Sequence, residues 1–382
     1  MKLKDSVTYI RTYRVVDIYN DDDLYLSFLY SFCYFCNVIE RNINSNVYYF
    51  FRCSTCYHAD TFQRALHLLE IPDTKIRNFE YNSTEVVVEW DDNHVSKYKS
   101  DFLVQFHYQT WLQSRKLKPI LWRGEEVANK VARIHVDKFL NSVDGAKAVF
   151  QSLLDHGVAL IEEVKATEEV CKALGGVQHT LFGGMWEFST QPDHADTAYT
   201  NLPLAVHNDN TYFTEAAGLQ ILHCIKHTNG SGGNTILADG FYGAARLKEE
   251  FPEDFKFLTS FDVEAEYLED GHHQSYSAPV IRVDRNGDLK QIRFNVYDRS
   301  AMAFASGEEC RSYYRSLRNL SRYYENPENQ WQFKLKPGTV MAMDNFRLLH
   351  GRTGFTGHRV LCGSYVSRSD WLDKARSLGV IH

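Results

Sequence analysis

No stretch of this 382-residue sequence reaches the run of about 18 apolar residues that a membrane helix needs. The longest candidate, Leu24 to Cys36 (LYLSFLYSFCYFC), is too short and is interrupted by serine, so no membrane partner is expected. Long Lys or Arg runs are also missing, and the net charge is -7, which argues against nucleic acid as a partner. A clean targeting peptide is lacking too: Asp5, Asp17 and the Asp21-Asp22-Asp23 run spoil an otherwise basic start. No G-x-G-x-x-G or P-loop sits in a strand-to-helix setting, which removes the usual dinucleotide and nucleotide readings. No internal repeat is visible, so a solenoid or propeller is excluded. The eight cysteines do not form a secreted disulfide framework. Cys171, Cys224, Cys310 and Cys362 are scattered singly, whereas Cys33/Cys36 and Cys53/Cys56 form two close pairs.

What remains is an ordinary globular composition, 44% hydrophobic and 24% charged, with aromatics high at 14%. Residues 1–52 are rich in Tyr, Phe, Asn and Ser without a clean period, and they stay unassigned. From Glu85 the pattern becomes regular. EVVVEW alternates, DDNH reads as a turn and VSKY as the returning strand, predicting a small β-rich domain over 53–123. A second domain over 124–382 begins with a helix from Asp144 to His156, stopped by Gly157, and the strand VALIEEV. Thr167 reads as the N-cap of a short helix. GLQILHCI, TILADG, APVIRV with LKQIRFN across Asn286-Gly287, a pair broken at Pro337-Gly338, and RVLCGSYV read as strands. Helices are expected over 307–326 and 369–378. Many short strands with a few flanking helices favour a mainly β, jelly-roll-type barrel over a doubly wound sheet.

A non-heme iron site needs two imidazoles and one carboxylate on one face of the metal. His-x-Asp on a strand supplies two of them, because residues i and i+2 point to the same side. Four such pairs occur, starting at His58, His135, His194 and His207, so the pattern alone is weak. His207-Asn208-Asp209 precedes the strand set of the barrel, and His350 follows far downstream where a strand returns. Nine residues beyond His350 lies Arg359, whose guanidinium can grip a dicarboxylate bidentately.

From about Trp122 onward the chain resembles the carnitine-biosynthesis oxygenases, the trimethyllysine and gamma-butyrobetaine dioxygenases of the taurine-dioxygenase-like group. The stretches that carry the resemblance are GGMWEFS, DTAYT, VHNDNTYF, GLQILHCIKH, GGNTILADGFY, IRFNVYDR, KLKPG, DNFRLLHGR and FTGHRVLCGSY, spread over roughly two-thirds of the chain. The resemblance implies a double-stranded β-helix core, iron(II) held by His207, Asp209 and His350, 2-oxoglutarate held by Arg359, and ascorbate sustaining activity. Asn208 stands where these enzymes usually carry Thr, a departure from which little effect is expected.

The same resemblance puts Phe182, Trp186, Tyr199 and Tyr365 at the positions of an aromatic cage for a quaternary ammonium substrate. Without it, they are ordinary core aromatics of an aromatic-rich chain. Asp196 is expected to pair the α-ammonium of trimethyllysine, a group that gamma-butyrobetaine lacks, and Asn295 is expected to make a polar contact nearby. The lead expectation is therefore trimethyllysine hydroxylation. Gamma-butyrobetaine hydroxylation and a non-catalytic methylammonium-binding barrel are the alternatives. A structural zinc is expected at Cys53, Cys56 and His94, with a second option at Cys33 and Cys36. By resemblance, the molecule is expected to be a homodimer in the mitochondrial matrix, with the cytoplasm as the alternative.

Overall fold

In EVVVEW every second side chain is buried, and that alternation makes Glu85–Trp90 the centre of a three-stranded antiparallel sheet. The computed structural model describes residues 56–381 apart from 59, 62, 66, 68, 70–75, 83, 106–107, 190–199, 229 and 270. The unassigned segment 1–52, Cys33, Cys36, Cys53, Asp196 and Tyr199 therefore lie outside the described residues. Chain contacts define two units, residues 1–116 and 117–382. In the first, β1 (Tyr57–His58) pairs with β2 (Gln63–Arg64), and β3 (Ile76–Tyr81), β4 (Glu85–Trp90) and β5 (Val95–Lys99) form the sheet. Val86, Val88, Trp90, Tyr98 and Leu103 make its core, and the Trp90 indole donates to Ser96 Oγ at 2.9 Å.

The second unit holds β6 (Arg133–His135), β7 (Val158–Glu162), β8 (Met185–Ser189), β9 (Leu204–His207), β10 (Leu219–Thr228) and β11 (Thr235–Asp239). The hairpins β12 (Asp262–Glu269)/β13 (His272–Pro279) and β14 (Ile281–Val283)/β15 (Leu289–Ile292) follow. Then come β16 (Gln330–Phe333), β17 (Val340–Asp344), β18 (Leu348–Arg352) and β19 (His358–Val366). Ten of these strands form two sheets, in the orders β6-β7-β17-β10-β19-β8 and β16-β11-β18-β9. The pair expected across Pro337-Gly338 is not a hairpin: β16 pairs with β11, whereas β17 crosses to the other sheet between β7 and β10. The helix after β7 is capped one residue earlier than expected, with Ala166 as N-cap and Thr167 as its first residue.

Strand alternation sorts the side chains between three cores. On the larger sheet Ala159, Ile161, Leu219, Ile221, Val340 and Ala342 pack outward against helices that include Val143–His156 and Arg368–Ser377. Their neighbours Val158, Leu160, Leu222, Met341 and Met343 pack inward on Leu237 and Leu348 of the smaller sheet. Trp122, at the end of the stretch expected to close the small domain, is buried in this inter-sheet core. The outer side of the smaller sheet is covered by the helices Gly240–Glu250, Pro252–Ser260 and Gly307–Glu325 through Phe241, Leu247, Tyr313 and Leu320. Among the described residues no helix is long and apolar enough to cross a membrane.

One buried charge pair sets the turn between β17 and β18. Arg347 grips both oxygens of Asp239 (Nε to Oδ1 3.1 Å, Nη2 to Oδ2 2.7 Å) and also donates to the carbonyls of Asp155 and Ile120. Asp239 further accepts from the backbone N–H groups of Trp122 and Phe241, the second as a helix N-cap. That turn carries Asn345 and leads directly into His350, so it positions the site described next.

Candidate metal centre

His207 and His350 stand opposite one another in the β9/β18 ladder, with ring centroids 4.4 Å apart. Both are buried. Strand β9 ends at His207, so Asp209 is not brought to the same side by strand periodicity, as expected from the sequence, but by the bend that follows. The bend is over-determined. Asp209 N donates to Asn345 Oδ1 at 2.9 Å, and Asn345 Nδ2 donates back to Asp209 O at 3.0 Å. Asn210 adopts a left-handed φ of 61°. Asn208, from which little effect was expected, is buried and cross-links three segments: its amide donates to Asn345 O and Leu348 O and accepts from Phe294 N.

The donor atoms of His207, Asp209 and His350 all lie within 4.8 Å of one another, and among the described residues this is the one cluster of three or more potential metal ligands. Asp209 Oδ1 is 3.3 Å from His207 Nε2 and 3.6 Å from His350 Nε2. His207 Nδ1 lies 2.8 Å from Ala205 O; placing the ring proton there leaves Nε2 as a lone-pair donor to the cluster. Burial would raise the Asp209 carboxyl, yet the two imidazoles and the Tyr365 hydroxyl hold it at about 2. Burial depresses His350 to about 3, against the pull of Asp209. An ionised carboxylate and a neutral imidazole are what a divalent ion requires, and two nitrogens with one oxygen suit iron(II).

The cluster opens into a pocket that is partly exposed to solvent and walled by Phe188, Leu204, Leu222 and Leu361. Arg352 and Arg359 line the same pocket. Arg352 is committed to the carbonyls of Thr200 and Leu202. Arg359 is buried, its guanidinium 5.5 Å from the Phe355 ring, and among the described residues no carboxylate pairs with it. A buried cation without a counter-ion is costly, so the pocket is built for an anion.

Phe182, Trp186 and Tyr365 do come together, with centroids 6.4 Å apart for the first pair and 4.4 Å for the second. Gly363, opposite Trp186 in the ladder, makes this possible, because a Cβ there would meet the indole at 2.3 Å. Tyr267 and Tyr212, which sequence reading missed, extend the cluster, Tyr267 lying 5.7 Å from Phe182 and 5.1 Å from Tyr212. Asn295 spends its amide internally, donating to Asn208 O and Asp298 Oδ2 and accepting from Tyr297 N. Of the expected zinc ligands, Cys56 Sγ lies 3.8 Å from His94 Nε2. Of the other His-x-Asp pairs, His135 caps a helix through Asp137 N and His58 is exposed, while His194 and Asp196 lie outside the described residues.

The family model described as taurine catabolism dioxygenase TauD, TfdA family matches residues 114–365. The chain is 36% identical to the mitochondrial trimethyllysine dioxygenase of Bos taurus over 341 residues, covering 86% of this chain and 80% of that protein. The mitochondrial trimethyllysine dioxygenase of Homo sapiens is likewise 36% identical, with the same coverage. The trimethyllysine dioxygenase of Meyerozyma guilliermondii is 30% identical, covering 86% and 88%.

Proposed function

The chain belongs to the taurine catabolism dioxygenase TauD, TfdA family, and on that premise we propose that it hydroxylates N6,N6,N6-trimethyllysine to 3-hydroxytrimethyllysine, a step of carnitine biosynthesis. The observation that carries this reading is the convergence of His207, Asp209 and His350 on one point of a pocket that also holds Arg359, with which no carboxylate among the described residues pairs. The three ligands would hold iron(II), and Arg359 would take the distal carboxylate of 2-oxoglutarate. When bound, iron(II) and 2-oxoglutarate supply the activation of O2: one oxygen atom enters a C–H bond and the other leaves in succinate, with loss of CO2.

The protein contributes orientation and dryness. Leu204, Leu222 and Leu361 keep water from the reacting atoms. The faces of Phe182, Trp186 and Tyr365 suit a trimethylammonium group, which has no N–H to donate and is held through cation–π attraction. Tyr199 completes this cage in our reading, and Asp196 pairs the α-ammonium of the substrate. The two facing sheets are read as a double-stranded β-helix. Ascorbate as a sustaining reductant, a structural zinc on Cys53, Cys56 and His94, a homodimer and the mitochondrial matrix belong to the same proposal.

Replacing Arg359 by Ala is expected to raise KM for 2-oxoglutarate by about ten- to a hundred-fold, since charge-assisted hydrogen bonds contribute about 1.5–3 kcal/mol. Arg359→Lys should recover part of the loss, because a point charge replaces a planar fork. Asp196→Asn should raise KM for trimethyllysine over a similar range of about 1.5–3 kcal/mol while sparing iron binding. The test of the function itself is incubation of purified protein with Fe(II), 2-oxoglutarate, ascorbate and air, with trimethyllysine or gamma-butyrobetaine supplied separately. Mass spectrometry should find one added oxygen on trimethyllysine. Oxygen added to gamma-butyrobetaine alone would overturn the role of Asp196 and the proposed substrate.

A further inference from the structure

Gln220 interrupts the apolar run of β10 at a position that lines the metal pocket, and it is 2% exposed. Its amide Nε2 donates to Asp209 Oδ2, and the Tyr365 hydroxyl donates to the same oxygen at 2.7 Å. A carboxylate oxygen only accepts, so the amide nitrogen must face it. Gln220 and Tyr365 are direct partners in the β10/β19 ladder, and β10 is hydrogen-bonded on its other edge to β17, so both donors stand on an inner part of the larger sheet. The two oxygens of Asp209 are thus divided. Oδ1 faces His207 and His350, while Oδ2 is held from behind by two donors.

The other end of the Gln220 amide sharpens the point. Oε1 is buried and has no hydrogen-bond partner among the described residues. A glutamine kept only for packing or structure satisfies both ends when buried, and an orphaned acceptor calls for an explanation. Among the described residues, the polar contact of this side chain is the Asp209 carboxylate. Tyr365 is similarly committed, its ring packed 4.4 Å from that of Trp186 and its hydroxyl turned to Asp209.

We propose that Gln220 and Tyr365 are positioning residues that restrict Asp209 to offering a single oxygen to the metal. This rests on the reading of His207, Asp209 and His350 as the iron site. A carboxylate free to rotate can chelate through both oxygens and fill a coordination position that the facial arrangement must leave open for cosubstrate and O2. With Oδ2 engaged by two donors, that rotation costs both hydrogen bonds. The arrangement also gives Tyr365 two separable functions: the ring face belongs to the aromatic cluster and the hydroxyl to the metal ligand.

The experiment is an anaerobic Co(II) titration of the full-length wild type, Gln220→Met and Tyr365→Phe, followed by the visible absorption of the bound ion, with KM and kcat measured in saturating Fe(II). Each variant is expected to bind Co(II) about ten- to a hundred-fold more weakly, the usual loss when a group supporting a ligand is removed. The absorption band should shift as Asp209 changes its mode of binding. Tyr365→Phe, which keeps the ring, should lower kcat and leave KM for trimethyllysine unchanged. If Gln220→Met does not fold, Tyr365→Phe alone decides. Folded variants that match the wild type in affinity and spectrum overturn the clamp and leave the iron site standing, whereas a wild type that takes up no metal overturns both.

Discussion

Asp209→Ala is expected to lower turnover of trimethyllysine by about a thousandfold or more, because the metal's contribution is several kcal/mol and each 1.36 kcal/mol is tenfold in rate. The substitution removes the carboxylate oxygen that faces both imidazoles and leaves His207 and His350 as a two-nitrogen site. It also strands the Gln220 amide and the Tyr365 hydroxyl, which lose their shared acceptor. Asp209 keeps its backbone contacts to Asn345 in the variant, so the bend itself should survive. The measurement is kcat with trimethyllysine alongside metal content after anaerobic loading. Loss of both together is the expected result. Turnover near that of the wild type would remove Asp209 from the site.

Arg347→Met should destabilise the fold by about 3–5 kcal/mol, the cost of leaving a buried charge without its partner. Asp239 has no route to solvent: its side chain is 0% exposed and that of Arg347 2%. Methionine fills much of the volume but donates nothing, so the carbonyls of Asp155 and Ile120 are stranded as well. Against a typical total of about 5–15 kcal/mol this is a large fraction, and denaturant unfolding would read it directly. Removing both charges in Arg347→Met/Asp239→Leu should recover only part of the stability. Asp239 also accepts from Trp122 N and Phe241 N, and leucine cannot.

The three converging residues were legible through the stretches VHNDNTYF and DNFRLLHGR that carry the resemblance, because the His-x-Asp pair alone occurs four times and does not single them out. The alternation in β4 and the apolar runs of β10 and β11 were legible because period two needs no knowledge of neighbours. What could not be read is non-local. That Asp209 leaves the strand and is held by Asn345 depends on a turn more than a hundred residues away. The transfer of β17 to the opposite sheet from β16 depends on which strand edges are open as the two sheets assemble. The β12/β13 hairpin carried a local signal, Asp270-Gly271 between its strands, but that signal does not say that Tyr267 joins the aromatic cluster. Gln220 did leave a trace, a lone amide in the run GLQILHCI, but its meaning required the register that sets it opposite Tyr365.

The most direct test of the account is to run the reaction under isotopically labelled O2 and follow the label by mass spectrometry in both products. One labelled oxygen in hydroxylated trimethyllysine and one in succinate, in equal amounts, is the expected result. Trimethyllysine returned without label, or oxidised with oxygen drawn from water, would contradict it.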